Sequence, residues 1–154
     1  MHLAEFLDCD AIKTALPGGN KRSLMKQLAD LAAQRLAVDS VAVLAGINER
    51  EQLGSTGFGQ GVAIPHAKID GLAQIYGLFA RLGEPVDYKA IDGRPVDLVF
   101  LLLSPPDAGA EHLKALAAIS RVTRDGATLE RLRGARSRDA LAALLMGADE
   151  RDAA

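Results

Sequence analysis

Arg50, the glycines Gly54, Gly57, Gly59 and Gly61, and His66 fall in one short stretch of the chain, and together they could handle a phosphoryl group. Closely spaced glycines let the backbone approach another group and turn its N–H donors outward. His66 is the first side chain after that loop able to act as a nucleophile near neutral pH. A donor-rich loop beside a lone imidazole points to phosphoryl chemistry on histidine. Two better-known glycine motifs do not fit. A dinucleotide fingerprint follows a strand and opens a helix, whereas this loop follows a helical pattern and opens an extended one. A P-loop ends in Gly-Lys-Ser/Thr, and here Gly61-Val62 stands instead. The blander reading is that the glycines only make a tight helix-to-strand connection.

Proline at 65 favours the mounted-histidine reading. Pro65 has a fixed φ and drives Ile64 toward an extended conformation, so the entry to His66 is stiff. His112 lies in the first turn of a helix that begins near Ala110, with Asp107 or Gly109 in the cap region. The positive end of a helix dipole disfavours imidazolium, so His112 is expected to stay neutral and donate one hydrogen bond. Its alternative is a surface histidine at a helix start. Arg50 can hold two phosphate oxygens in a planar fork, and its alternative is an ion pair with Glu49 or Glu51. His2 stands at the terminus and supports no functional argument.

The elements that must position these residues can be read from periodicity. Pro17-Gly18-Gly19 closes a short N-terminal lead. Asn20 is a plausible N-cap for a helix reaching about Leu36, with Leu24, Leu28, Leu31 and Ala32 on one face. Asp39 or Ser40 caps a second helix with Val41, Leu44, Ala45 and Ile47 as its apolar positions, ended by Gly54. Val62 to Ile64 reads as a short strand that stops at Pro65-His66, and Gln74 to Leu82 as a β-rich run. Val96 to Leu103 is nearly all apolar apart from Asp97, which suits a central strand covered on both faces. Ala110 to Arg124 reads as a helix with Leu113, Leu116, Ala117 and Ser120 on one stripe. Two shorter helices, Leu129 to Gly134 and Arg138 to Met146, precede a frayed tail from Ala148 to Ala154. The predicted fold is α+β, a three-layer α/β/α sandwich around a small mixed sheet, in one domain over residues 1–154.

Composition narrows the function further. The chain has 154 residues, 49% hydrophobic and 25% charged, a globular balance. Aromatics are only 4%, with no Trp, so the core must be aliphatic. A net charge of −2 does not suit a polyanion binder. Six arginines between Arg121 and Arg138 face only Asp125 and Glu130, but without interleaved aromatics they read as a solvated helical face and not as a nucleic-acid site. The single Cys9 offers neither a disulfide nor metal-ligand spacing, as a reduced cytoplasmic protein would have it. Glu5, Asp8 and Asp10 do not suit a signal peptide, and no apolar run approaches the roughly 20 residues of a membrane span.

The motif block resembles a known family. Arg50-Glu51, Gly54-Ser55-Thr56-Gly57-Phe58-Gly59, Gly61-Val62-Ala63-Ile64-Pro65-His66, Ala90-Ile91-Asp92-Gly93-Arg94-Pro95-Val96-Asp97-Leu98 and His112-Leu113-Lys114 are similar to enzyme IIA of the bacterial phosphotransferase system, fructose/mannitol type. That type includes the nitrogen-regulatory IIA proteins, and the resemblance spans roughly Leu3 to Leu145. It implies that His66 is phosphorylated by the carrier HPr or its nitrogen-branch counterpart, with His112 and Arg50 beside it. The loop amides of Gly54, Ser55, Thr56, Gly57 and Gly59 are candidate phosphoryl binders. No metal or cofactor is implied. A free-standing IIA domain resembles the regulatory branch, whose partners include potassium transport proteins and sensor kinases. The alternatives are a sugar-specific IIA that passes phosphate to a IIB domain, and a binding module that works without phosphoryl transfer.

Overall fold

A computed structural model describes residues 1–153, with side chains through Asp149. Two 3-10 turns, Leu3–Glu5 and Cys9–Ala11, lead into strand β1 (Lys13–Leu16). Helices α1 (Lys21–Leu36) and α2 (Ser40–Gln52) follow, capped by the side chains of Asn20 and Asp39 on the amides of Ser23 and Val41. Three very short strands come next: β2 (Gly57–Gly59), β3 (Val62–Ala63) and β4 (His66–Lys68). The long strands β5 (Tyr76–Val86) and β6 (Val96–Ser104) precede helices α3 (Gly109–Thr123), α4 (Gly126–Gly134) and α5 (Arg138–Ala153).

The strands form one mixed sheet in the order β1-β5-β6-β3-β2, with β4 also paired to β6. Its central strand β6 runs antiparallel to β5 and parallel to β3 and β4. Successive side chains of a strand point to opposite faces, and β6 divides accordingly. Val99, Leu101 and Leu103 join Leu24, Leu28, Val43 and Ile47 in the core under α1 and α2. Leu98, Phe100 and Leu102 join Ile119, Leu129 and Leu141 under α3 to α5. The α/β/α sandwich expected from the buried strand is therefore observed. Asp97, the one acid in β6, is half-buried and ion-paired with Arg133 of α4 at 2.9 Å.

Several local expectations need correction. The strand after the glycines does not stop at Pro65-His66. Ala63 pairs with Val99 and His66 with Leu102, so β3 and β4 keep one register along β6 with a gap at Ile64-Pro65. Proline has no N–H to give a ladder, which explains an interruption without a slip. In α2 the buried apolar residues are Val43 and Ile47, while Val41 is exposed. In α3 the buried face is His112, Ala115, Ala118, Ile119 and Val122, and Leu113 faces solvent. The observed stripe is rotated by one residue from the expected one, with His112 and not Leu113 turned inward. Neither Asp107 nor Gly109 caps α3; its N-cap is Ala108, without a side-chain bond. The tail is not frayed from Ala148, since α5 continues to Ala153 with Ala148 and Asp149 buried. Ala154 lies outside the described residues.

Candidate functional site

At the end of β6 where β4 pairs, no further strand among the described residues covers β4, so His66 stands at a sheet edge. Helix α2 crosses one side of this edge. Gly46 brings it close: a Cβ there would lie 3.1 Å from that of Ala67 and 3.2 Å from Ile69 Cδ1. One helical turn beyond Gly46 is Arg50. Helix α3 starts on the other side, after the stiff Ser104-Pro105-Pro106 connection, and carries His112. A cleft of about 420 Å³ results, lined by Gly46, Glu49, Arg50, Leu53, His66, Ala67, Lys68 and His112. A larger groove of about 690 Å³ lies elsewhere, bordered by Met1, Phe6, Asp107 and Glu111, and holds no histidine.

The two imidazoles face each other with ring centroids 5.4 Å apart and planes tilted by 52°. Each is only 8% exposed. His66 Nδ1 lies 2.7 Å from the carbonyl oxygen of Ile64. A carbonyl can only accept, so Nδ1 carries the proton and Nε2 presents a lone pair. Burial is the largest influence on His66 and holds its pKa below the ordinary value. The Ile64 carbonyl opposes that shift, the Arg50 charge adds to it, and Glu51 offsets a further part. His112 is lowered to about 4, first by burial and then by His66 and Lys68. Its neutrality therefore arises chiefly from desolvation, where sequence reasoning had invoked the helix dipole.

Arg50 donates from Nη1 to the Gly54 carbonyl at 2.9 Å and forms no ion pair among the described residues, so its guanidinium is not consumed by Glu49 or Glu51. Glu51 points the other way, into a nearly buried network. Its carboxylate accepts from the Thr56 amide at 3.2 Å, the Tyr88 hydroxyl at 3.0 Å and the Thr56 hydroxyl, and pairs with Lys21 at 2.9 Å. Burial would raise its pKa, but the hydrogen bonds from Thr56 and Lys21 together outweigh it and the net shift is downward.

The glycine loop is arranged differently from the phosphate cradle expected. The Gly54 amide bonds to the Glu51 carbonyl, the Thr56 amide to the Glu51 side chain, and the Gly57 amide to Ser55 Oγ. Gly57 and Gly59 form β2, beside Ala90 and Asp92 respectively, and neither lines the cleft. Only the Ser55 amide, among positions 54 to 57, is left without an acceptor in the described residues. The loop ties α2 to the sheet and so places Arg50.

Lys68, which lines the cleft, and Ser104, which lies behind His112, were missed in the sequence. Lys68 was legible in principle, since residues two apart in a strand share a face and His66-Ala67-Lys68 is extended. Ser104 was not: its hydroxyl reaches His112 Nδ1 at 2.6 Å only because β6 and α3 meet there. Among the described residues no group of three or more His, Cys, Asp or Glu is placed to hold a metal ion.

A histidine at a sheet edge, faced by a second histidine and an arginine from the two flanking helices, can be compared with known proteins. A family model described as "Phosphoenolpyruvate-dependent sugar phosphotransferase system, EIIA 2" matches residues 5–147. The chain belongs to this family. A nitrogen regulatory protein of Bradyrhizobium diazoefficiens is 45% identical to it over 145 residues, 94% of this chain and 95% of that protein. The crystal structure of nitrogen regulatory protein IIA-Ntr from Neisseria meningitidis shares 36% identity at a TM-score of 0.88, covering 93% of this chain and 98% of that one. IIA mannitol from Escherichia coli, at 18% identity and a TM-score of 0.75 over 90% and 97% of the two chains, has the same EIIA fold. No helix among the described residues of this EIIA domain is long and apolar enough to cross a membrane.

Proposed function

We propose that this protein is a cytoplasmic phosphoryl carrier that takes a phosphoryl group on His66 Nε2 from an HPr-type carrier and signals through its phosphorylation state. The observation that carries this reading is the Nδ1–H···O=C bond from His66 to Ile64, which leaves Nε2 as a free lone pair in a cleft shared with Arg50 and His112. In the transfer, the Nε2 lone pair attacks phosphorus in line. The N–P bond to the donor histidine breaks, and its electron pair leaves with the donor ring. Nδ1 of His66 keeps its proton, so the ring gains positive character that the Ile64 carbonyl stabilises. Arg50 and the single N–H of neutral His112 meet the phosphoryl oxygens, and Lys68 adds charge at the cleft margin. The loop contributes by holding Arg50 through Gly54, and among positions 54 to 57 the Ser55 amide is the donor left without an acceptor in the described residues.

Docking of the carrier is supported by apolar surface beside the cleft. Leu53, on its lining, is 82% exposed, and Leu113, next to His112, is 67% exposed. Adding a phosphate changes the charge of the same surface, which suits a signal read by partner proteins. Relatives named nitrogen regulatory proteins favour regulatory targets, such as potassium transport proteins or sensor kinases. Membership of a sugar phosphotransferase family keeps one second reading, onward transfer to a IIB domain.

The test is intact-mass analysis after incubation with phosphoenolpyruvate, enzyme I and an HPr-type carrier. One acid-labile phosphoryl group on the wild type and none on His66→Ala is expected. Equal phosphorylation of both would remove the site assignment. No phosphorylation of the wild type would leave a phosphate-independent binding module. Chasing the phosphorylated protein with a IIB domain separates the regulatory from the sugar reading.

A further inference from the structure

The two histidines of the cleft differ in what lies behind them. His66 Nδ1 faces a carbonyl, whereas His112 Nδ1 faces the hydroxyl of Ser104 at 2.6 Å. Ser104 is fully buried, and His112 is the only partner of its hydroxyl among the described residues. If His112 Nδ1 carried the proton, Oγ would accept it and the hydroxyl hydrogen would be buried with no acceptor. Buried polar hydrogens are rarely left so, because the lost solvation is not recovered. When the hydroxyl donates to Nδ1 instead, both groups are satisfied and the ring proton sits on Nε2. His112 Nε2 has no protein partner among the described residues and is left to face the cleft.

We propose that Ser104 is a positioning residue for phosphoryl transfer, its hydroxyl fixing His112 as the Nε2–H tautomer so that this ring presents a donor to the phosphoryl group on His66. The proposal rests on the reading of His66 as acceptor. The two rings are thereby held in opposite tautomers by different backing groups. A carbonyl behind His66 makes its outer nitrogen a nucleophile; a hydroxyl behind His112 makes its outer nitrogen a donor. The wrong tautomer at His112 would turn a lone pair toward anionic oxygens.

The fold makes the contact stiff. Ser104 ends β6, pairs with Lys68, and accepts the Ile69 amide on its carbonyl at 2.8 Å. Pro105 and Pro106 follow, and the His112 amide bonds to the Ala108 carbonyl at 2.7 Å, closing the first turn of α3 over the serine.

Two-bond 1H–15N spectra of the labelled, unphosphorylated protein read each imidazole tautomer directly. Wild-type His112 is expected as Nε2–H and His66 as Nδ1–H. Ser104→Ala should convert His112 to a tautomer mixture, and Ser104→Thr, which keeps the hydroxyl, should retain Nε2–H. The rate of phosphoryl acceptance from the HPr-type carrier should fall roughly 3- to 10-fold in Ser104→Ala, the worth of one net hydrogen bond, and recover in Ser104→Thr. In a His112→Ala background, Ser104→Ala should add nothing. A wild-type His112 protonated on Nδ1 would overturn the proposal before any variant is made, as would an Ser104→Ala protein with unchanged tautomer and rate. If the wild type accepts no phosphoryl group, the reading of His66 fails, while the tautomer spectra still decide what Ser104 does.

Discussion

At His66, burial and function pull in the same direction. A nucleophilic nitrogen must be unprotonated, and desolvation in the cleft, with the Arg50 charge beside it, keeps the ring neutral. An NMR titration of His66 should therefore show a midpoint below the ordinary histidine value of 6.5, with acceptance competence lost only as pH falls through that lowered midpoint. A midpoint at or above 6.5 would contradict the cleft as described. The same shifts enter stability. Below the unfolded value of 6.5 the unfolded chain binds protons that folded His112 refuses until about pH 4, so stability must fall as pH drops across that window. The slope from such a group is at most about 1.4 kcal/mol per pH unit. Denaturant unfolding at pH 7, 6 and 5 checks this; a stability that rises on acidification would reject it. The sequence led to a neutral His112 through the helix dipole, but burial, the larger cause, is not legible there.

At the scale of elements, the site depends on how closely α2 and β2 approach their neighbours. Gly57 does not have a left-handed φ, and its lack of a side chain serves close packing instead: a Cβ would lie 2.8 Å from the Cβ of Ala90 and 2.9 Å from Tyr88 Cδ1. Both contacts are buried, and Tyr88 is anchored by Glu51, so little can give way. Gly57→Ala is expected to destabilise by roughly 1–3 kcal/mol through overpacking. Chemical denaturation measures it, and a neutral result would mean the Ala90 segment is freer than the geometry indicates. The glycines were legible as special in sequence, but their use was not, because a missing side chain looks the same whether it frees a turn or admits a neighbour. The helix caps Asn20 and Asp39 were legible, since capping is decided within a few residues.

Over the whole molecule, the N-terminal lead is built into the fold. Leu3 is fully buried in the core under α3 to α5, and its amide bonds to Asp149 of α5 at 2.7 Å. Asp8 holds Arg35 of α1 at 2.9 Å and the Tyr76 hydroxyl of β5 at 2.7 Å. The first and last described elements thus close one layer together. Leu3→Ala is expected to cost about 2–5 kcal/mol by the transfer and cavity terms. For a domain of this size that lowers Tm by roughly 5–15 °C. A thermal melt that moved by less than a degree would show the terminus to be dispensable.

The sequence by itself determined the layer architecture, the starts of α1, α2 and α5, and the pairing of Arg50 with His66 in one motif. These rest on local information: periodicity over a few turns, caps, breakers and short spacing along the chain. Tertiary structure alone decided which face of α3 is buried, that β3 and β4 share a register, that the loop amides turn inward, and that Ser104 stands behind His112. Each of those depends on a partner far away in the chain or on competition for burial between neighbouring side chains. A pattern read one element at a time contains neither the distant partner nor the outcome of that competition.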